Sequence, residues 1–101
     1  MRKTVLIELD KARNMRLGTN QFAMIQDLGL DLNNHQQVLG FRELRTILFV
    51  ALSWEDKKLT LEQVGDMMDD VICDENRGMA YLEEKIEACI NNFAPNFVGK
   101  I

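Results

Sequence analysis

The sequence predicts a mainly α fold of the α+β class, a short N-terminal β-hairpin followed by four to five packed helices. Three features carry this reading. A β-branched, aliphatic run opens the chain, longer segments repeat apolar residues at helical spacing, and glycines and capping residues punctuate them. The 101 residues are 47% hydrophobic and 28% charged with a single proline, the composition of a folded globular domain. A chain of that length buries on the order of two-thirds of its unfolded surface, enough for one core without staples. One domain is expected over residues 1–94, with an apolar tail at 95–101.

The first element is the hairpin, residues 4–17. "TVLIEL" reads as a strand, "DKARN" as a polar turn, and "MRL" before Gly18 as the returning strand. An isolated two-stranded hairpin is marginal in water, so it must pack on helices or join a neighbour's sheet. Next, "TNQFAMIQDLG" predicts a helix over about 19–28. Thr19 or Asn20 caps it, Phe22, Ile25 and Leu28 are its apolar positions, and Gly29 stops it. "DLNNHQQVLG" offers Asn33 or Asn34 as a cap with Gln three residues on, a turn or two over 34–39 ending at Gly40.

The helix over 41–54 contains the densest apolar run of the chain, six residues from Ile47 to Leu52 within "RTILFVALSW". Phe41, Leu44, Ile47, Leu48 and Ala51 form one stripe at 3.6-residue spacing and are expected in the core. Phe49, Val50, Leu52 and Trp54 fall off that stripe. A helix apolar nearly all round is either central to the fold or covered by a partner. The next helix, 60–73, opens on a capping box of Thr60 and Gln63. It sets Leu61, Val64, Met67, Met68, Val71 and Ile72 opposite Glu62, Asp66, Asp69 and Asp70. The last helix, 78–93, repeats the pattern with Met79, Leu82, Ile86, Cys89, Ile90 and Phe93, and Pro95 stops it. The tail adds Phe97, Val98 and Ile101 with no periodicity to seat them in the core.

The same sequence argues against several functions. The apolar run at 47–52 is far shorter than the roughly 20 residues of a membrane span. "MRKTVLIELDK" meets Glu8 and Asp10 before a signal-peptide apolar region develops, so a soluble, cytosolic protein without membrane contact is expected. Cys73 and Cys89 lack a CxxC motif and the chain has one histidine, so neither a zinc site nor a redox pair is expected and both thiols should be reduced. Against the EF-hand loop, "CDENRGMAYLEE" puts Cys73 and Arg77 where oxygen ligands are required, and a calcium site fails. No nucleophile elbow, glycine-rich phosphate loop or HExxH occurs, and His35 is a lone imidazole at a polar helix start. No catalytic residue, metal or cofactor is expected, so the weight falls on binding.

The net charge of −4 conceals an asymmetry: residues 1–54 carry +2 and residues 55–101 carry −6. The basic positions Arg2, Lys3, Lys11, Arg13 and Arg16 lack an interleaved aromatic platform, and acidic helices after residue 55 cannot supply a DNA recognition helix. Nucleic acid is therefore not an expected partner. The asymmetry is either ordinary solvated charge or an attraction between subunits. Met67, Met68 and Met79 are expected in the core, an adaptable binding surface being the alternative.

One block of the chain resembles a known family. "IELDKARNMRL", "NQFAMIQDLGL" and above all "FRELRTILFVALSWEDKKLTLEQVGDMMDD" are similar to the tail assembly chaperones of long-tailed bacteriophages and prophages of Gram-positive hosts. The most specific part runs from Arg42 to Asp70 and includes a Leu-Thr-x-Glu-x-Val-Gly pattern; the likeness spans about residues 4–92. Gln26, where the family commonly has an acidic residue, and a turn without Asp-Gly-Lys depart from it. The resemblance implies a non-enzymatic protein of the host cytoplasm that coats the helices of the tape measure protein, helps recruit tail tube protein subunits, self-associates as a homo-oligomer and is not part of the mature virion. It would make Phe49, Val50, Leu52 and Trp54, with Phe97 and Val98 of the tail, partner-binding residues. The alternatives are that the hairpin and helices bury the off-stripe residues themselves, or that the chain is a small acidic helical regulator or inhibitor of a host protein.

Overall fold

A computed structural model describes residues 4–30 and 40–93. Within them the chain runs β1 (Val5–Glu8), β2 (Ala12–Met15), α1 (Thr19–Asp27), α2 (Phe41–Ser53), α3 (Leu61–Ile72) and α4 (Gly78–Phe93). This is the expected hairpin followed by helices, mainly α, with one difference: the returning strand is Ala12–Met15 and not Met15–Leu17, so the turn is shorter than the expected five residues. The predicted turn at 34–39 and the tail at 95–101 lie outside the described residues.

β1 and β2 pair antiparallel, Val5 opposite Met15 and Ile7 opposite Arg13. The strand alternation puts Ile7 and Met15 fully inside while Leu6 and Glu8 face out. Helices hold the hairpin at both edges. On the β2 side, the Arg16 amide donates to the Ala51 carbonyl at 3.0 Å and the Trp54 indole N–H donates to the Asn14 carbonyl at 3.0 Å. On the β1 side, the Glu8 amide donates to the Tyr81 hydroxyl at 2.9 Å, and the Arg77 guanidinium donates to the Glu8 carbonyl at 2.6 Å. Edge amides and carbonyls that would otherwise invite another strand are thereby satisfied.

The helix ends follow capping chemistry, with one correction. α3 begins at the expected box: the Gln63 amide donates to Thr60 Oγ1 at 3.2 Å and the Thr60 amide to Gln63 Oε1 at 3.0 Å. α1 is not capped by Thr19 or Asn20. Gly18 takes the cap position, and the Gln21 side chain reaches back to accept from its amide at 2.9 Å. α2 repeats that device with Gly40 and Glu43, also at 2.9 Å. α1 closes at Gly29, whose φ of 95° is open to glycine at little cost. There Leu30 donates to the Ile25 carbonyl and Gly29 to that of Gln26, and both apolar partners, Ile25 and Leu30, are buried.

α2 is the centre of the core. It packs against β2, α1, α3 and α4, and Leu44, Ile47, Leu48, Val50, Ala51 and Leu52 are all buried. Its one buried hydroxyl, Thr46, donates back to the Arg42 carbonyl at 2.9 Å. Val64, Met67, Met68 and Val71 of α3 and Leu82, Ile86, Cys89 and Ile90 of α4 complete the interior. Met67 and Met68 are thus core, and Met79 packs half-buried against it.

Candidate functional site

The expected partner-binding residues on α2 do not form a surface. Val50 and Leu52 are 0% and 1% exposed, which corrects the reading of them as grease left over for a partner. The reason is packing: with neighbours around most of α2, positions off its main stripe face other elements instead of solvent. Phe49 is half-buried and packs on the core. Trp54 is half-buried, its N–H spent on Asn14 and its ring covered by the Arg16 guanidinium at 4.8 Å. Phe97 and Val98 lie outside the described residues.

The opposite correction falls on Phe41. Placed in the core by periodicity, it is 68% exposed, the most exposed large hydrophobic residue among those described. It stands at the first position of α2, at the mouth of a groove of about 690 Å³ between α2 and α3. Phe41, Arg42 and Arg45 line it from α2; Gly65, Met68 and Ile72, with Glu62, Asp66 and Asp69, line it from α3. Met68 is buried and Ile72 half-buried, so the apolar part of the α3 lining is anchored in the core.

Sequence reasoning missed this groove because it draws on two helices at once. The available signal was Gly65. A glycine in the middle of a helix costs about 1 kcal/mol relative to alanine. Here the backbone is ordinary helix, and an added Cβ would meet only the Arg45 Cδ at 3.5 Å, a normal contact. Neither conformation nor crowding in the fold demands the glycine.

Electrostatics separate the hairpin from the groove. Arg13 is buried at 5% exposure. Its Nε and a terminal nitrogen grip Asp10 at 2.7 and 2.9 Å, and the other terminal nitrogen reaches Asp56 at 3.3 Å. The Arg13 fork holds the Asp10 carboxyl below its ordinary range, and the Lys58 amide followed by Arg13 does the same for Asp56. Asn14 donates its amide and side-chain nitrogen to Glu55 at 3.3 and 3.1 Å. Two of the five basic positions near the N-terminus, Arg13 and Arg16, are therefore engaged inside the molecule, which shrinks the basic patch available to a neighbour. In the groove, by contrast, Arg45, Glu62, Asp66 and Asp69 have no ion-pair partner among the described residues, while Arg42 makes one exposed contact with Glu43 at 3.4 Å.

The described residues offer no group of three or more metal-ligating side chains, and none of their helices is long and apolar enough to cross a membrane. Cys73 is exposed and Cys89 buried, both unpaired by disulfide. Burial pushes the Cys89 thiol up to about 11, well away from reactivity. Chemically, the α2–α3 groove is a place for contact: apolar lining residues, an exposed aromatic ring, and unspent charge of both signs on its sides. Comparison of the chain with models of known protein families, with curated proteins and with solved structures finds no match.

Proposed function

We propose that the chain is a tail assembly chaperone of a long-tailed phage or prophage. It holds the tape measure protein and helps recruit tail tube subunits during tail morphogenesis in the host cytoplasm, without catalysis and as a homo-oligomer. The observation that carries this reading is a coincidence of position. The block that most resembles the family, Arg42 to Asp70, is also the α2–α3 helical pair, and its outward side is the open groove headed by Phe41. A protein built to cover another protein's apolar helices needs an apolar surface that its own core does not consume. Phe41 with the groove supplies one, where the buried Val50 and Leu52 cannot.

Co-expression tests the reading. A tape measure protein encoded beside this chain should be recovered in soluble form with the chain bound, and should aggregate when produced alone. Equal solubility with and without the chain, and no co-purification, would count against it. Capture of one host protein by a strictly monomeric chain would favour the regulator instead.

A further inference from the structure

We propose that the α2–α3 groove receives a single amphipathic helix in one orientation, its apolar stripe on Phe41 and Ile72, its closest approach over Gly65, its cationic flank toward α3 and its anionic flank toward Arg45. The proposal deepens the chaperone reading and rests on it for the occupant being a partner's helix.

The groove follows α3 from Glu62 to Ile72, roughly 15 Å at the rise of a helix, or about three turns. That suits a helix laid along two others, which packs at about 8–10 Å between axes depending on the side chains at the contact. Gly65 sits within this length, and its missing side chain has no job in the fold, since a Cβ there meets only an ordinary contact with Arg45. What the missing side chain does provide is a low point in the groove, where a second backbone can come close.

The sides of the groove differ in charge. Glu62, Asp66 and Asp69 line α3 without ion-pair partners among the described residues, and a cationic flank answers them. On the α2 side, Arg45 has a buried Nε with no hydrogen-bond partner among the described residues. Its stem rests beside Gly65. A carboxylate arriving at this guanidinium would give Arg45 the ion pair it lacks among the described residues. Because the two walls carry opposite signs, a helix with one cationic and one anionic flank fits in one direction and is repelled in the other.

The test uses the whole chain and synthetic helical peptides of roughly 20 residues, long enough to hold a helix in solution. Each peptide carries a leucine stripe. One has lysines on one flank and glutamates on the other, a second has lysines on both, and a third has glutamates on both. Fluorescence anisotropy should rank the mixed peptide tightest. Gly65→Ala should weaken its binding by about tenfold, as added bulk does at a packed interface, without lowering the melting temperature. Arg45→Glu should turn the preference toward the lysine-only peptide. Absence of binding by any peptide overturns the proposal, whether the groove is closed by other residues of the chain or occupied by a second copy. So does unchanged affinity in Gly65→Ala, or a ranking that follows net positive charge alone. These outcomes are independent of whether a tape measure protein co-purifies, so the groove and the chaperone reading can fail separately.

Discussion

Leu52→Ala and Phe41→Ala, made side by side, decide which face of α2 belongs to the core. Periodicity places Phe41 inside and leaves Leu52 off the core stripe, open to burial or to a partner; the structure exposes Phe41 at 68% and buries Leu52 at 1% exposure. Truncating a fully buried leucine removes its transfer free energy and leaves a cavity, together about 2–5 kcal/mol. For a domain of this size each kcal/mol moves Tm by about 4–8 °C, so Leu52→Ala should lower Tm on the order of 10–30 °C. A fully buried phenylalanine would cost about 3–5 kcal/mol on truncation. With only a third of Phe41 covered, the loss should be at most about 1.5 kcal/mol. Urea unfolding followed by far-ultraviolet circular dichroism gives both values under one set of conditions. A loss in Phe41→Ala as large as that in Leu52→Ala would refute the placement, as would a Leu52→Ala variant within about 1 kcal/mol of the parent.

Three further outcomes follow from the hairpin and the thiols. Asp10 and Asp56 titrate below the ordinary aspartate value of 3.8 because they are held by Arg13 and by backbone amides. Their contribution is therefore full above that value and is lost as pH falls through the lower folded values, so stability should decline below roughly pH 4; Arg13→Met should flatten that decline, and an unchanged acid profile would contradict it. Trp54→Phe keeps an aromatic ring against Arg16 but deletes the donor to the Asn14 carbonyl, and should cost about 0.5–1.5 kcal/mol in thermal or urea unfolding. If Trp54 instead served only a partner, the isolated protein would be unaffected. A thiol reagent followed by mass spectrometry should modify Cys73 in the native protein and Cys89 only after unfolding, since burial removes Cys89 from both reagent and thiolate formation; equal rates would show that α4 is not packed as described.

Much of the architecture was legible because it is written locally. The Thr60–Gln63 box, the Gly29 stop and the amphipathic faces of α3 and α4 each need only a few neighbouring residues, although Phe93, expected on the α4 face, is 43% exposed. The α2 stripe was also right at Leu44, Ile47, Leu48 and Ala51. What periodicity could not decide is how many neighbours surround a helix that is apolar on nearly every side. α2 meets four other elements, so residues off its stripe are buried too, while Phe41 at its first position extends past that cover. The Gly18 and Gly40 caps were missed for a related reason. Their function comes from Gln21 and Glu43 reaching back, not from a side chain at the cap itself. The groove lay furthest from view, because Phe41 and Ile72 are separated by a whole helical hairpin in sequence and brought together only by the turn between α2 and α3.

The most direct measurement of the central claim is co-purification of the tape measure protein with the parent chain and with Phe41→Asp. Phe41 is largely outside the core, so the variant should fold and melt cooperatively near the parent temperature. It should nonetheless lose the partner, while the parent retains it through washing. A folded Phe41→Asp variant that holds the tape measure protein as firmly as the parent would contradict the claim that the α2–α3 groove is the binding surface.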